Sequence, residues 1–500
     1  MPDAVPPPGR GPAPELVEAG FAIEVADAPL LHDGLNLADI AHVLVLAERG
    51  IIPAEARGRL LGLLLEVYRT PVASFPYDPR YGDAYNCRER YFAERLGDDA
   101  GWLHAGRPRR EAGRLALRLR LRRLVAGLAG DTAGFVEAVT GLAERHAETV
   151  MSDQTYLQQA QPSTFGHYVL TFGYPALRDG ARLLAGEDWV NRSPGGAGCV
   201  NGSRLSLDRA LIAELLGFGG VIEHTRDAMW QTDGLVHLVA AAASLVISLS
   251  KLAEDLEIWS SQEFDFVELA DAHTRASVLM PQKRNPYALS IVRGAAGVLI
   301  GRLSGFLAVV KTPSARTDNL IFAYGEVPRS LDLAARVTRL MSRVVATLEV
   351  RPERMWASLA AGFSQATDLA EFVMQTCMVD YRTAYRVVGA AVRDAARRGL
   401  AGIDLTGQML DDAARREIGR PLGLAGASLV GVLDPRAIAF GRTSAGGAAP
   451  EIVREMAGAC RSEAEGLRTE AARREARYRS VEERLIALAT EGAGGSTDRR

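Results

Sequence analysis

Lysine is nearly missing from this chain: of 58 basic residues in 500, only Lys251, Lys283 and Lys311 are lysines. With arginine as the default cation, a retained lysine is a candidate for a place that needs a compact ammonium rather than a planar fork. Cysteine is scarce as well. Cys87, Cys199, Cys377 and Cys460 lie far apart with no CxxC pair, which argues against a disulfide scaffold or a structural zinc site. Aromatic residues make up 6%, too few for a sheet sandwich, and a net charge of -3 excludes a dedicated nucleic-acid binder. Long apolar runs are absent: the richest window, Leu235 to Leu249, carries His237 and stops short of the ~18 residues of a membrane span. The opening MPDAVPPPGRGPAPE has no apolar signal-peptide core, so the expectation is a cytoplasmic protein without membrane or nucleic-acid partners.

What is abundant is Ala, Leu, Gly and Arg, a mixture that packs as helices through small side chains. The expected class is all-α. Residues 1–15, rich in Pro and Gly, read as a disordered tail. An N-terminal helical domain over 16–109 follows, with apolar helical spacing from Asn36 to Tyr68 broken at Gly50 and Pro53. A central bundle of long helices is expected over 110–350. One candidate helix runs from Arg110 to about Leu128; another, Leu235 to Phe264, contains no Gly or Pro and would be ~45 Å long. A further candidate, Asn285 to Val310, carries Gly294, Gly297, Gly301 and Gly305, small residues that permit close helix approach and suggest a seam shared between subunits. Residues 351–500 read as a C-terminal helical domain whose last segment, Pro450 to Glu491, is a polar surface helix. The run Arg118, Arg120, Arg122, Arg123 reads as a solvated helix face, and His167 as a satisfied core histidine.

The segment Ser277-Val278-Leu279-Met280-Pro281-Gln282-Lys283-Arg284-Asn285-Pro286 concentrates the chemistry. It reads as a loop entering a long helix, with Asn285 as cap and Pro286 at the first helical position. A helix N-terminus offers free N–H groups and positive potential, Lys283 adds a formal charge, and Ser277 is a nucleophile or base candidate above them. On residue chemistry alone this is either a carboxylate-binding loop or an ordinary capped helix. Gly196-Ala197-Gly198 reads as a turn that admits a carboxylate to backbone N–H groups, since no βαβ pattern surrounds it to support a dinucleotide loop.

The stretch MPQKRNP resembles the signature loop of the fumarase/aspartase superfamily and, within it, of argininosuccinate lyase. The likeness spans residues about 35 to 400 and is carried by several separated motifs in the family's order. His104-Ala105-Gly106-Arg107-Pro108-Arg109 is similar to the first signature, and Thr155-Tyr156-Leu157-Gln158-Gln159-Ala160-Gln161-Pro162 to the second. Pro194 to Gly198, Ser206-Leu207-Asp208-Arg209, Leu215 to Phe218 and Ala366 to Ala370 resemble argininosuccinate lyase in particular.

The resemblance implies a three-domain fold with a central long-helix bundle and a homotetramer whose sites each draw on three chains. It implies β-elimination of a small succinyl-amine, releasing fumarate and an amine, with no cofactor and no metal. Ser277 would be the base, Lys283 and Asn285 would stabilise the aci-carboxylate, and Tyr156 would be the provisional acid. His104, Arg107, Arg109, Arg110, Thr155, Gln158, Gln161, Met280 and Tyr324 would contact substrate.

Three departures stand out. The family has a His where this chain has Tyr156, and a Glu paired with that His where this chain has Ser290. A Tyr with an ordinary pKa near ~10 is a poorer acid at neutral pH than a His–Glu couple. The Asn expected in the first signature is Arg110. Three possibilities follow: an argininosuccinate lyase with unusual substitutions, a related lyase with another leaving amine, or a non-catalytic homologue.

Overall fold

The structure, a computed structural model, describes residues 11–312 and 323–494. The first ten residues of the expected tail lie outside that range, and Pro14–Leu16 is already helical. The elements that position the site are α1 (Ala28–Glu48), α2 (Ala54–Arg69), α3 (Ala84–Leu96), α4 (Arg109–Arg145), β1 (Val150–Thr155), β2 (Gln158–Thr164), α5 (Gly173–Val190), α6 (Asp233–Trp259), β3 (Val267–Glu268), β4 (Arg275–Ala276), β5 (Arg284–Asn285), α7 (Tyr287–Val310), α8 (Glu326–Ala346), β6 (Glu349–Val350), α9 (Ala366–Cys377), α10 (Tyr381–Arg397), α11 (Gly407–Ile418) and α12 (Pro450–Gly494). The six strands form three two-stranded antiparallel ribbons, β1–β2, β3–β6 and β4–β5.

Helix α4 does not stop near Leu128 but runs on to Arg145 through Gly130, Gly134 and Gly141. Each glycine costs about 1 kcal/mol of helix propensity. Burial of Leu128, Phe135, Val136, Val139 and Leu142, all fully inside the core, outweighs it. At 37 residues and 1.5 Å per residue this helix is about 55 Å long, and it sets the long axis of the molecule.

Contacts along that axis fix the direction of the other helices. Arg118 near the start of α4 donates to the carbonyl of Trp189 at the end of α5, so α5 is antiparallel to α4. Helix α6 begins against Trp189, where a Cβ on Gly234 would meet the indole ring, and ends with Trp259 packed on Phe165 and Tyr168 just beyond β2. Helix α7 returns, its Val310 beside the cluster of Ala228, Met229 and Trp230. Helix α8 runs outward again, with Arg329 on Asp27 and Arg339 on Asp131. The result is a bundle with two distinct ends. The near end holds the start of α4; the far end holds the β1–β2 ribbon and the β4–β5 loop.

Two expectations are corrected. The expected C-terminal domain, 351–500, ends earlier: α9, α10 and α11 enclose their own core of Leu369, Val373, Val387 and Leu410, but α12 leaves it and returns along the bundle. Arg454 and Arg461 pair with Glu148 and Glu144, and Arg123 with Glu482, so α12 is antiparallel to α4. Its Val453, Ala457, Cys460 and Ala464 are core residues, which a polar surface helix would not supply. The reason is periodicity: one apolar residue per turn suffices to seat a helix whose other faces are charged.

The apolar window in α6 belongs to a 27-residue helix, and α1, α6 and α7 are each long and apolar enough to cross a membrane. For α1 that apolarity is spent on the N-terminal core it shares with α2, and for α6 on the bundle core. For α7 it is not. Tyr287, Ile291, Val298, Ile300 and Leu307 stand exposed, and Gly294, Gly297, Gly301 and Gly305 face open space.

Candidate active site

At the near end, α3, the turn before α4 and the loop after α5 surround a cavity of about 510 Å³ lined by Tyr85, Asn86, Glu89, His104, Arg107, Arg109, Gly198, Cys199 and Ser203. His104 Nε2 lies 3.2 Å from Glu89 Oε1, and its Nδ1 lies 3.3 Å from the Tyr85 hydroxyl. The bond from His104 holds the Glu89 carboxyl below its ordinary range, while burial pushes the Tyr85 phenol up. Arg109 pairs with Asp83 at 3.3 Å and reaches a second, smaller cavity shared with Arg110, Arg114 and Tyr324. The Arg114 guanidinium stacks over the Trp230 and Tyr324 rings at 5.0 and 5.3 Å.

Arg107, expected to contact substrate, is redirected. Its guanidinium is buried and spent on Asp39 Oδ1 at 2.5 Å and the Ala38 carbonyl at 3.0 Å. Asp39 also takes Arg88 at 2.7 Å, and Arg88 bonds Asn36 at 2.6 Å. Two buried guanidiniums on one carboxylate anchor the wall of the cavity, with Arg107 contributing structure rather than a free charge. The expected solvated Arg face on α4 is corrected in the same way. Arg118 stacks on Trp189 at 3.9 Å, Arg122 donates to the Leu216 carbonyl and stacks on Tyr478 at 4.2 Å, and of the four only Arg120 is exposed. Their stems cover apolar surface while ring faces and carbonyls take the charge. His167 has both ring nitrogens engaged, by Ser163 and by the Gly446 carbonyl.

The glycine turn does admit a carboxylate, and that carboxylate belongs to the protein. Gly196 N–H donates to Glu111 Oε1 at 2.7 Å and Gly198 N–H to Oε2 at 2.8 Å. Both glycines have positive φ (70° and 63°), and a Cβ on Gly198 would lie 2.7 Å from the Gly202 carbonyl oxygen, so the turn requires glycine there. Burial pushes the Glu111 carboxyl up to about 7 against the pull of those two N–H groups.

At the far end, Thr155 pairs with Gln158 across a two-residue turn made of Tyr156 and Leu157, at φ 55° and 58°. A turn with two left-handed residues normally takes Asn-Gly; here it carries a tyrosine and a leucine at a cost of about 1–3 kcal/mol each. Tyr156 is 99% exposed, and Thr155, Gln158 and Gln161 are exposed with it. Gln159 beside them donates to the Ser358 carbonyl at 2.7 Å, tying the ribbon to the helix Pro352–Ala360.

The MPQKRNP loop projects from the β4–β5 ribbon at the same end. Ser277 Oγ accepts from Leu279 N–H at 3.3 Å and Met280 N–H at 3.0 Å, and Ser277 N–H donates to the Lys283 carbonyl at 3.2 Å. Two N–H donors aimed at one hydroxyl oxygen favour its deprotonated form. Asn285 is not the helix cap that was expected. It lies in β5, its Nδ2 donating to the Arg275 carbonyl at 2.8 Å, and Pro286 takes the cap position without a side-chain bond. Val278, Leu279 and Met280 are exposed at the tip, Lys283 is exposed behind them, and Ser290 is exposed on α7. Beneath, Lys283 and Gln282 line a cavity of about 670 Å³ whose floor is the ion network of Arg284 and Arg351 about Glu268.

The sequence-predicted residues therefore fall into two groups within one chain. His104, Arg107, Arg109, Arg110 and Tyr324 gather at the near end; Tyr156, Thr155, Gln158, Gln161, Ser277, Met280, Lys283 and Asn285 gather at the far end. The length of α4 separates them, about 55 Å at 1.5 Å per residue. Glu89, Asp39 and Glu111 were missed as site residues. The spacing of Tyr85 and Glu89, four apart on a helix and so on one face, was the available signal for the first.

Known proteins resemble the chain along nearly its whole length. A lyase family profile matches residues 74–301, and an argininosuccinate lyase C-terminal profile matches residues 363–439. The argininosuccinate lyase of Methanothrix thermoacetophila is 31% identical over 90% of this chain and 91% of its own. That of Methanoculleus marisnigri is 34% identical over 83% of this chain and 84% of its own. Among solved structures, an EDDS lyase variant with bound fumarate superimposes with a TM-score of 0.88 at 25% identity, covering 98% of both chains.

Proposed function

The chain belongs to the argininosuccinate lyase family, a carbon–nitrogen lyase that releases fumarate, and from that premise we propose that its substrate is an N-substituted aspartate cleaved in a site built from several copies of the chain. The observation that carries the composite site is the separation of the two residue groups by the length of α4, a distance no small substrate spans. An antiparallel assembly brings the near end of one subunit to the far end of another. The bare glycine-lined face of α7 supports that assembly, since an apolar helix surface of this size is normally covered. We take the assembly to be a homotetramer and the protein to be cytoplasmic.

In this reading Ser277 removes the proton beside the substrate carboxylate. The Leu279 and Met280 N–H groups stabilise the oxyanion form of its hydroxyl, which is otherwise far too weakly acidic. Lys283 supplies the ammonium that balances the doubly negative aci-carboxylate, and Asn285 lies beside it on the same ribbon; such stabilisation of developing charge is the largest catalytic term available. Tyr156, Thr155, Gln158 and Gln161 present the second wall, with Met280 on the loop between. Arg109 and Arg110 of a neighbouring subunit offer cations to the substrate carboxylates, with Tyr324 nearby. No step calls on a cofactor.

A leaving group other than the guanidine of arginine is the second reading, favoured by Tyr156 and Ser290 where the family keeps its His–Glu pair. The test is fumarate release by purified protein from argininosuccinate and from other N-succinyl amines, with light scattering of the native assembly. Release from any of them that disappears in Lys283→Met supports the lyase reading. A folded protein that turns over none of them points to a non-catalytic homologue.

A further inference from the structure

The lyase reading leaves one step without a donor: the departing nitrogen needs a proton, and the residue expected to give it, Tyr156, has no hydrogen-bond partner within its own chain among the described residues. The near-end cavity contains a different answer. Of the chain's eight histidines, His104 is the only one in an ion pair with a carboxylate among the described residues, at 3.2 Å from Glu89. Its other nitrogen lies 3.3 Å from the Tyr85 hydroxyl. Tyr85 is 7% exposed yet borders the 510 Å³ cavity, the cavity at Arg109–Arg110 and the small space between them and α1. Glu89, His104 and Tyr85 thus form a chain of contacts along the wall of one cavity, from the half-exposed ion pair to the buried phenol.

We propose that this line is the proton relay of the elimination: Tyr85 is the terminal donor, His104 recharges it, and Glu89 is the positioning residue that fixes the imidazole. The proposal rests on the lyase reading above. With Nε2–H directed at Glu89, the imidazolium Nδ1–H points at the Tyr85 oxygen. As the C–N bond breaks, its electron pair stays on nitrogen, which takes the Tyr85 O–H proton. The His104 Nδ1 proton passes to the Tyr85 oxygen, so no tyrosinate accumulates, and solvent in the open cavity reprotonates the imidazole. A couple of His and Glu is thereby restored to the site by different residues on different elements. The charged and titratable groups around His104 are Glu89, Tyr85 and Arg88 on α3, Asp39 and His42 on α1, and Arg107, Arg109 and Cys199 at the cavity rim. Asp39 is already shared by Arg88 and Arg107, which leaves Glu89 as the carboxylate that answers the imidazolium.

A proton donor has a signature that a packing residue lacks: its loss matters most for the most basic leaving group. The experiment ranks the succinyl amines that the wild-type protein turns over by the basicity of the released amine, and measures kcat/KM for each in Tyr85→Phe, His104→Gln, Glu89→Gln and Tyr156→Phe. Expected is a fall of roughly 10²–10⁴-fold for the most basic amine and much less for the least basic one in Tyr85→Phe and His104→Gln. Glu89→Gln should show the same steepening to a smaller degree, since the imidazole keeps its proton relay but loses the group that orients it. Equal losses across the series in these three variants would assign them a structural role and overturn the relay. Steepening confined to Tyr156→Phe would return the acid to the far-end turn and overturn it as well. Failure of the wild-type protein to release fumarate from any succinyl amine would sink the lyase reading itself, a different outcome from either.

Discussion

Burial and two backbone N–H groups pull the Glu111 carboxyl in opposite directions, and burial wins, leaving it at about 7. Because the folded value lies above the ordinary carboxyl value of 4.5, the protonated form is the one the fold prefers. Its contribution to stability is complete below that lower value and is lost as pH rises through about 7. Unfolding midpoints should therefore fall for wild type across this window, and Glu111→Gln should remove that part of the slope while destabilising the Gly196–Gly198 turn at low pH. A slope unchanged in the variant would show that another group titrates there. Asp39 has the opposite character: it is an acceptor shared by two buried guanidiniums. Asp39→Asn should cost about 3–5 kcal/mol in urea unfolding, because it strands buried positive charge. Lys283→Met should change stability little, as the side chain is exposed, and should lower kcat roughly 10²–10³-fold. Retention of wild-type kcat would remove the ammonium from the mechanism.

Two elements carry features that local propensity does not favour. The β1–β2 turn holds Tyr156 and Leu157 in left-handed conformations, which most turns of this kind assign to Asn and Gly. Strain kept at an exposed tip is kept for what the tip meets. Leu157→Gly should relieve it and stabilise the protein by about 1 kcal/mol, read as a higher Tm; a lower Tm would mean that the leucine side chain packs against a neighbouring subunit. Helix α7 is the second such element. Its four glycines lower helix propensity, and among the described residues a Cβ added at any of them would meet nothing, which fits the proposed seam with another helix. A bulky residue at Gly297 should leave the chain helical and shift the assembly to smaller species in light scattering. An unchanged mass would place the seam elsewhere.

At the scale of the molecule, the controlling quantity is the length of α4. In the proposed composite site, a near-end variant such as His104→Gln and a far-end variant such as Lys283→Met damage different contributions. Mixed by co-refolding, they should recover turnover that neither has alone, since some sites then combine two intact halves. A mixture no more active than the sum of its parts would show that each chain holds a complete site. Helix α12 runs back along the same axis, its Cys460 and alanines packing into the bundle core beside α4 and α5.

The helical class and the long central helices were legible in the sequence because each depends on local pattern: apolar spacing and helix-breaking residues. Ser277 and Lys283 could be named from one contiguous loop. What only the tertiary structure decided depends on residues distant in the chain. Arg107 read as a substrate contact, and Arg118 and Arg122 as solvated cations, until the fold buried them against Asp39, Trp189 and Leu216. The glycine turn read as a place for a carboxylate, but only the packing of α4 against it showed that Glu111 already occupies that place. The pairing of Glu89 with His104 crosses from a helix to a loop and leaves no periodic trace. Patterns along a chain report which face of an element is apolar; they do not report which charge will be brought to meet another, because that is settled by helix directions and lengths.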